Sequence, residues 1–292
     1  MAGCGVPLTA IGFTLLCNLL YAGGYALAKL LSASLDPVQI TALRCALVLG
    51  AGVGVGLTRP DPAGVFLRAI APPMAWAQRA AAAVLIGSTL LAVFAYALLP
   101  VTEAAALGFS APLITVVLGA LVLKEKIGAR RWLAIACGFL GMLLIIRPGS
   151  EVFRREALIP MGAALSYAWY QVLSRQLRGA ANATDGVVQA AIMGVVLLGP
   201  ALLWLWRPFG WEVAGLLVLF TAFQTGGLAA LAAAVRRAEV SALAPWNYSR
   251  LIFALVMDAA IFGRFPGPLA LGGVALIAAG GLLLLHVKHK VG

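Results

Sequence analysis

Tyr21-Ala22-Gly23-Gly24-Tyr25-Ala26-Leu27-Ala28-Lys29-Leu30-Leu31 and Tyr167-Ala168-Trp169-Tyr170-Gln171-Val172-Leu173-Ser174-Arg175-Gln176-Leu177 share one pattern, 146 residues apart. Each closes an apolar stretch with a Tyr-Ala pair, then a leucine, a cation and a leucine at the same spacing. Further matches follow in the same order. Glu103, Ala106 and Leu107 recur 136 residues on as Glu239, Ala242 and Leu243. Gly128 and Gly141 recur 139 residues on as Gly267 and Gly280. The offset drifts because short insertions lie between the matches. The chain therefore reads as two units of one design, with the boundary near residue 149: residues 1–149 and 150–292.

The stretches that carry these matches are long and apolar. Hydrophobic residues make up 63% of the 292 and charged residues 11%, with mean hydropathy +1.01. A soluble fold of this size needs more polar surface than that. A helix crosses a bilayer with roughly 20 mostly apolar residues. Ten such spans are expected: Val6–Leu31, Pro37–Leu57, Gln78–Leu99, Val101–Leu123, Trp132–Ile146, Ala157–Leu177, Thr184–Trp206, Trp211–Val235, Val240–Phe262 and Pro268–Val287. The fifth is short, and its start is expected nearer Ala129. Thr58–Ala77 contains Pro60, Pro62, Pro72 and Pro73 and reads as a loop. The predicted fold class is an all-α integral membrane protein. Five spans per unit is an odd number, so the second unit enters the membrane from the opposite side. Inverted repeats of this kind suit carriers, in which two similar halves exchange conformations around one central site. Channels also carry them.

The net charge of +11 does not imply nucleic acid. Thirteen Lys and Arg fall in loops on the side of the N-terminus and six on the other, while Arg44 and Arg250 lie inside spans. Such an excess is an insertion signal and a contact with anionic lipid, and it places both termini in the cytoplasm of a multi-pass inner-membrane protein. The first span lacks the short apolar core and cleavage site of a signal peptide and is expected to stay. Cys4, Cys17, Cys45 and Cys137 show no paired spacing and read as small apolar fillers. Gly50, Gly52, Gly54 and Gly56 imitate a nucleotide loop but lie in a span, where small residues let helices approach. His286 and His289 sit in a basic tail. No catalytic motif appears, and no enzyme, cofactor or metal is expected.

The chain resembles the ten-helix EamA-type members of the drug/metabolite transporter superfamily. The resemblance rests on Pro112, on Leu123-Lys124-Glu125-Lys126-Ile127-Gly128, on Gly138-Phe139-Leu140-Gly141 and on Arg147-Pro148-Gly149. It continues through Ala164-Leu165-Ser166-Tyr167-Ala168-Trp169-Tyr170, Ala238-Glu239-Val240 and Ala244-Pro245. One departure is Gly263-Arg264, where the family often has a glycine-glutamate pair. Within the superfamily the chain looks most like YddG-type exporters of aromatic amino acids. The resemblance implies a central cavity lined by spans one, three, four, six, eight and nine, and alternating access without ATP.

Polar groups at membrane depth read as functional candidates. Asn18, Tyr21, Tyr25 and Lys29 make one stripe on span one, and Asn247, Arg250 and Asp258 one on span nine. Candidate substrate contacts are Asn18, Tyr21, Tyr25, Thr89, Tyr96, Ser110, Tyr167, Trp169, Tyr170, Gln171, Gln224, Trp246, Asn247 and Arg250. Ser88, Thr115, Ser174, Thr221 and Thr225 accompany them on the same spans. Arg250 is read either as a carboxylate receptor or as the partner of Asp258 in a buried bridge. Asp258 is the candidate for proton coupling. Arg44 is read as structural, snorkelling or capping a neighbour. Pro112 and Pro245, in matching spans, are read either as gate hinges or as fixed kinks. The expected activity is export of small amphipathic metabolites, foremost aromatic or large apolar amino acids. Partners are then a small-molecule substrate and membrane lipid, with no nucleic acid, and a monomer suffices. An exporter of drugs or organic cations, a channel and a lipid-modifying enzyme are the alternatives.

Overall fold

The computed structural model describes residues 7–58, 71–122, 129–146, 155–176, 183–238, 243 and 246–288. In chain order the helices are α1 (Leu8–Leu31), α2 (Pro37–Leu57), α3 (Ala75–Leu98), α4 (Val101–Gly108), α5 (Ala111–Val122) and α6 (Ala129–Ile146). They continue as α7 (Leu158–Gln176), α8 (Ala183–Leu198), α9 (Trp211–Val235), α10 (Ser249–Phe262) and α11 (Pro268–Lys288). Each of the ten expected spans contains helix. Among the described residues, four helices are long and apolar enough to cross a membrane: Leu8–Leu31, Pro37–Gly54, Ala75–Leu98 and Trp211–Ala234. Shorter apolar helices include Ile135–Ile145, Val187–Leu198 and Pro268–Gly280.

Three spans expected to be continuous are broken. The fourth stops at Gly108 and restarts at Ala111. Pro112 has no N–H to give the carbonyl of Gly108. The chain instead turns through Phe109, whose N–H donates to Ala105 O at 3.0 Å and Ala106 O at 3.1 Å. Ser110 Oγ donates to Leu107 O at 2.6 Å. Proline then sits in the first turn of α5, where the missing donor costs little. The seventh span breaks at Gly199-Pro200, after which only the turn Leu202–Leu205 is helical. In the ninth span Tyr248 is a turn residue between helical Asn247 and α10. α10 ends on Gly263, whose φ of 61° puts it in the left-handed region that glycine tolerates.

The helices before residue 149 and those after it pair in a corresponding pattern. α1 packs on α9 as α7 packs on α3, and α1 packs on α10 as α7 packs on α5. α2 meets α8, α4 meets α10 and α6 meets α11, each joining corresponding segments. Small residues set the closest approach. A Cβ on Gly141 would lie 2.6 Å from Gly273 O, and one on Gly273 would lie 2.6 Å from Gly141 O. Lipid tails give apolar helices no hydrophobic reason to associate, so such close backbone packing supplies the cohesion. Large apolar side chains stay exposed on the outside, with Trp76, Trp204, Trp211 and Phe265 near helix ends, where membrane interfaces favour aromatic rings.

Candidate functional site

A cavity of about 870 Å³ runs through the bundle. On α7 its wall is Pro160, Ala163, Ala164, Tyr167, Tyr170 and Ser174, a stripe at spacings of three and four. On α3 a similar stripe runs from Gln78 to Tyr96. Tyr21, Tyr25, Phe109, Phe220, Gln224, Thr225, Asn247 and Arg250 complete the central part. α2 adds Arg44, Cys45 and Val48, and α8 adds Val187, Ala190 and Ala191. The wall therefore includes spans two and seven as well as the six expected. No Asp or Glu occurs among the described residues that line it.

Nine of the candidates are on this wall: Tyr21, Tyr25, Thr89, Tyr96, Tyr167, Tyr170, Gln224, Asn247 and Arg250. Five are not. Asn18 is buried, and its Nδ2 donates to Trp246 O and to Ser249 Oγ, both at 3.0 Å, bracing the turn before α10. Ser110 serves the break between α4 and α5. Trp169 and Gln171 lie off the α7 stripe, and Trp169 is 39% exposed. The Trp246 side chain is 41% exposed and its carbonyl is taken by Asn18. Pro112 lies within α5, and Pro245 is outside the described residues.

Arg250 is the focus of the wall. Its guanidinium carbon lies 4.7 Å from the Tyr21 ring centroid and 5.4 Å from that of Phe109. Phe109 in turn meets Tyr248, ring centroids 5.4 Å apart, so the breaks in the fourth and ninth spans touch. Nη2 of Arg250 donates to Asn18 Oδ1 at a long 3.4 Å, and Nε is buried without a partner. Nε2 of Gln224 on the same wall is also buried without a partner. The site thus holds a charge between two rings with donors to spare, in low-dielectric surroundings that make unpaired donors costly.

Asp258 does not pair with Arg250. It is 1% exposed, and its two carboxylate oxygens accept the N–H groups of Val101 at 2.9 Å and Thr102 at 2.6 Å. A carboxylate on α10 therefore caps α4, at the positive end of that helix. Lys29 makes the complementary contact on α3. Its Nζ donates to Tyr96 O at 3.3 Å and to Leu99 O, carbonyls at the negative end. Between these caps and the cavity the Tyr25 and Tyr96 rings stack, centroids 4.0 Å apart and 14° from parallel. They are the last lining residues of α1 and α3 toward Leu31 and Leu98.

Residues 8–147 match the EamA-like transporter family, a family of transporters and not of enzymes. An S-adenosylmethionine uptake transporter of Rickettsia felis is 29% identical over 194 residues, covering 65% of this chain and 65% of that protein. A riboflavin transporter of Vibrio cholerae serotype O1 is 29% identical over 185 residues, covering 61% of this chain and 60% of that protein. The matched stretch thus spans less than two thirds of either relative's length. A solved structure titled only as the crystal structure of a protein superposes with TM-score 0.63 and 19% identity over 97% of this chain and 98% of that one. That likeness in fold covers both halves of the chain. These relatives are named for S-adenosylmethionine uptake and for riboflavin, where the sequence reading looked to YddG-type amino-acid exporters.

Proposed function

We propose that this EamA-like membrane protein is an ATP-independent carrier for small metabolites that combine a flat ring with a carboxylate. The observation that carries the reading is Arg250, held between Tyr21 and Phe109 in the cavity with its Nε unpartnered. A carboxylate satisfies the guanidinium, and a ring finds Tyr25, Tyr96, Tyr167 and Tyr170 on the same wall. Aromatic amino acids have this chemistry. So does S-adenosylmethionine, which joins an amino-acid carboxylate to an adenine ring and is named for the Rickettsia relative. Riboflavin offers a ring without a carboxylate and ranks second. A site built only for organic cations fits poorly, because the described wall carries cations and no acid.

In this reading residues 1–149 and 150–292 are inverted halves in the cytoplasmic membrane with both termini inside, and Pro112 and Pro245 are the points about which they bend. The exchangeable pairing of helices supports it. The test is uptake of labelled phenylalanine, tryptophan, S-adenosylmethionine and riboflavin into proteoliposomes, with Arg250→Gln beside the unaltered protein. Uptake of a carboxylate-bearing ring compound, lost in the variant, is expected. Riboflavin alone, or uptake indifferent to Arg250, overturns the reading.

A further inference from the structure

Arg44, which the sequence reads as snorkelling or capping a neighbour, lines the same cavity as Arg250. Its Nε is buried and has no hydrogen-bond partner. α2 and α10, which carry the two arginines, are not among the closely packed helix pairs of the described residues, so the two guanidiniums reach the cavity from separate walls. With no carboxylate on the described wall, each cation raises the cost of the other at low dielectric. One anion on Arg250 leaves Arg44 uncompensated.

We propose that Arg44 forms a second anion-binding subsite, so that the solute held best carries two anionic groups on an aromatic or apolar body. This rests on the ring-and-carboxylate reading of the cavity and extends it. The shared chemistry is a second oxyanion, carboxylate or phosphate, meeting a planar donor fork. Cys45, Val48 and Ala82 line the cavity as well and give an apolar surround. The body of the solute would then lie between the α2–α3–α8 wall and the Arg250 site.

The experiment measures binding by calorimetry on the purified full chain in detergent. Two matched pairs serve as probes: 3-phenylpropionate against phenylsuccinate, and tyrosine against O-phosphotyrosine. Each pair keeps the ring and adds one anionic group, the first a carboxylate and the second a phosphate. In the unaltered protein at least one doubly anionic probe is expected to bind about tenfold or more tightly than its parent, in line with one charge-assisted hydrogen-bonded contact. The arm with the gain identifies the oxyanion. Arg44→Gln is expected to erase that gain while the parents bind within about twofold of before, and Arg250→Gln to weaken parents and doubly anionic probes alike. Parents that bind with no gain from either second anion overturn the subsite and leave the ring-and-carboxylate reading standing. So does a gain that survives Arg44→Gln. Failure of every probe overturns both. Should Arg44→Gln bind none of the probes, Arg44→Met decides: parents bound with the gain erased support the subsite, and a retained gain overturns it.

Discussion

At the scale of single residues, the cavity separates side chains that meet a solute from those that hold the wall. Arg250 faces two rings and the cavity, so its loss should act on binding. Arg250→Gln is expected to weaken a carboxylate-bearing ligand by about ten- to a hundredfold, the worth of a charge-assisted hydrogen bond. Arg250→Lys should recover little, because an ammonium has no planar face to lie between Tyr21 and Phe109. Calorimetric titration checks both. Asn18 should behave differently. Its amide serves the Trp246 carbonyl, the Ser249 hydroxyl and, at longer range, Arg250. Asn18→Ala leaves buried groups unpaired at an expected cost of about 1–3 kcal/mol, read as a lowered midpoint of thermal unfolding in detergent. A lost affinity with unchanged unfolding would instead place Asn18 at the solute. Sequence alone did not divide these two, since both lie on polar stripes of their helices. The division depends on which stripe faces the cavity and which faces a neighbouring turn.

At the scale of elements, the contacts at helix ends are the features that sequence spacing conceals. Asp258 read as a coupling candidate because a lone acid at depth is expensive. Its cost is offset by two backbone N–H groups of α4, which also need acceptors. Asp258→Asn keeps one good acceptor and loses the charge. A destabilisation of about 1–3 kcal/mol is expected, and passive uptake should persist in the fraction that folds. If uptake driven by a pH gradient disappears in Asp258→Asn while exchange without a gradient survives, the coupling role returns. α6 and α11 give a second prediction at this scale. Gly141 and Gly273 leave no room for a Cβ against the opposing carbonyl, so Gly141→Leu should force the two helices apart and lower the unfolding midpoint. Gly52→Leu on α2, where a Cβ meets nothing within 4 Å, should leave it unchanged. Helix in each of the ten expected stretches was legible because a long apolar run admits few other readings, and four of those helices are long and apolar enough to cross a membrane among the described residues. The breaks were not, because the same composition continues across Phe109-Ser110 and Gly199-Pro200. The cavity contributions of α2 and α8 were hidden for a related reason. Lipid and protein interior are both apolar, so Cys45, Val48, Val187 and Ala190 carry no mark of the side they face. Trp169 and Trp246 stood out as aromatics at the right depth, yet one lies off the α7 stripe and the other is largely exposed.

At the scale of the whole molecule, the Tyr25–Tyr96 stack and the helix caps next to it mark one end of the cavity. The Tyr25–Tyr96 stack and the caps made by Lys29 and Asp258 lie together toward Leu31, Leu99 and Val101. They bind α1 to α3 and α10 to α4, so opening this end must break a stack and release helix termini that need new partners. Alternating access requires such a cost to be of the order of the binding energy a solute supplies, since a ligand shifts an equilibrium only by its differential affinity. The prediction is that holding the stack shut arrests transport without abolishing binding. In a background with Cys4, Cys17, Cys45 and Cys137 replaced by alanine, cysteines at positions 25 and 96 joined by a short, reducible thiol-reactive cross-linker should stop uptake into proteoliposomes. Reductant should restore it. Either cysteine alone, treated in the same way, should transport at its untreated rate. Binding measured by calorimetry should persist in the cross-linked protein through Arg250 and Tyr21, with Tyr167 and Tyr170 left to meet the ring, though weakened by the loss of Tyr25 and Tyr96. Uptake that continues through the cross-link would mean that this end does not open during transport. The cavity would then load and empty by another route, and the two halves would not exchange roles.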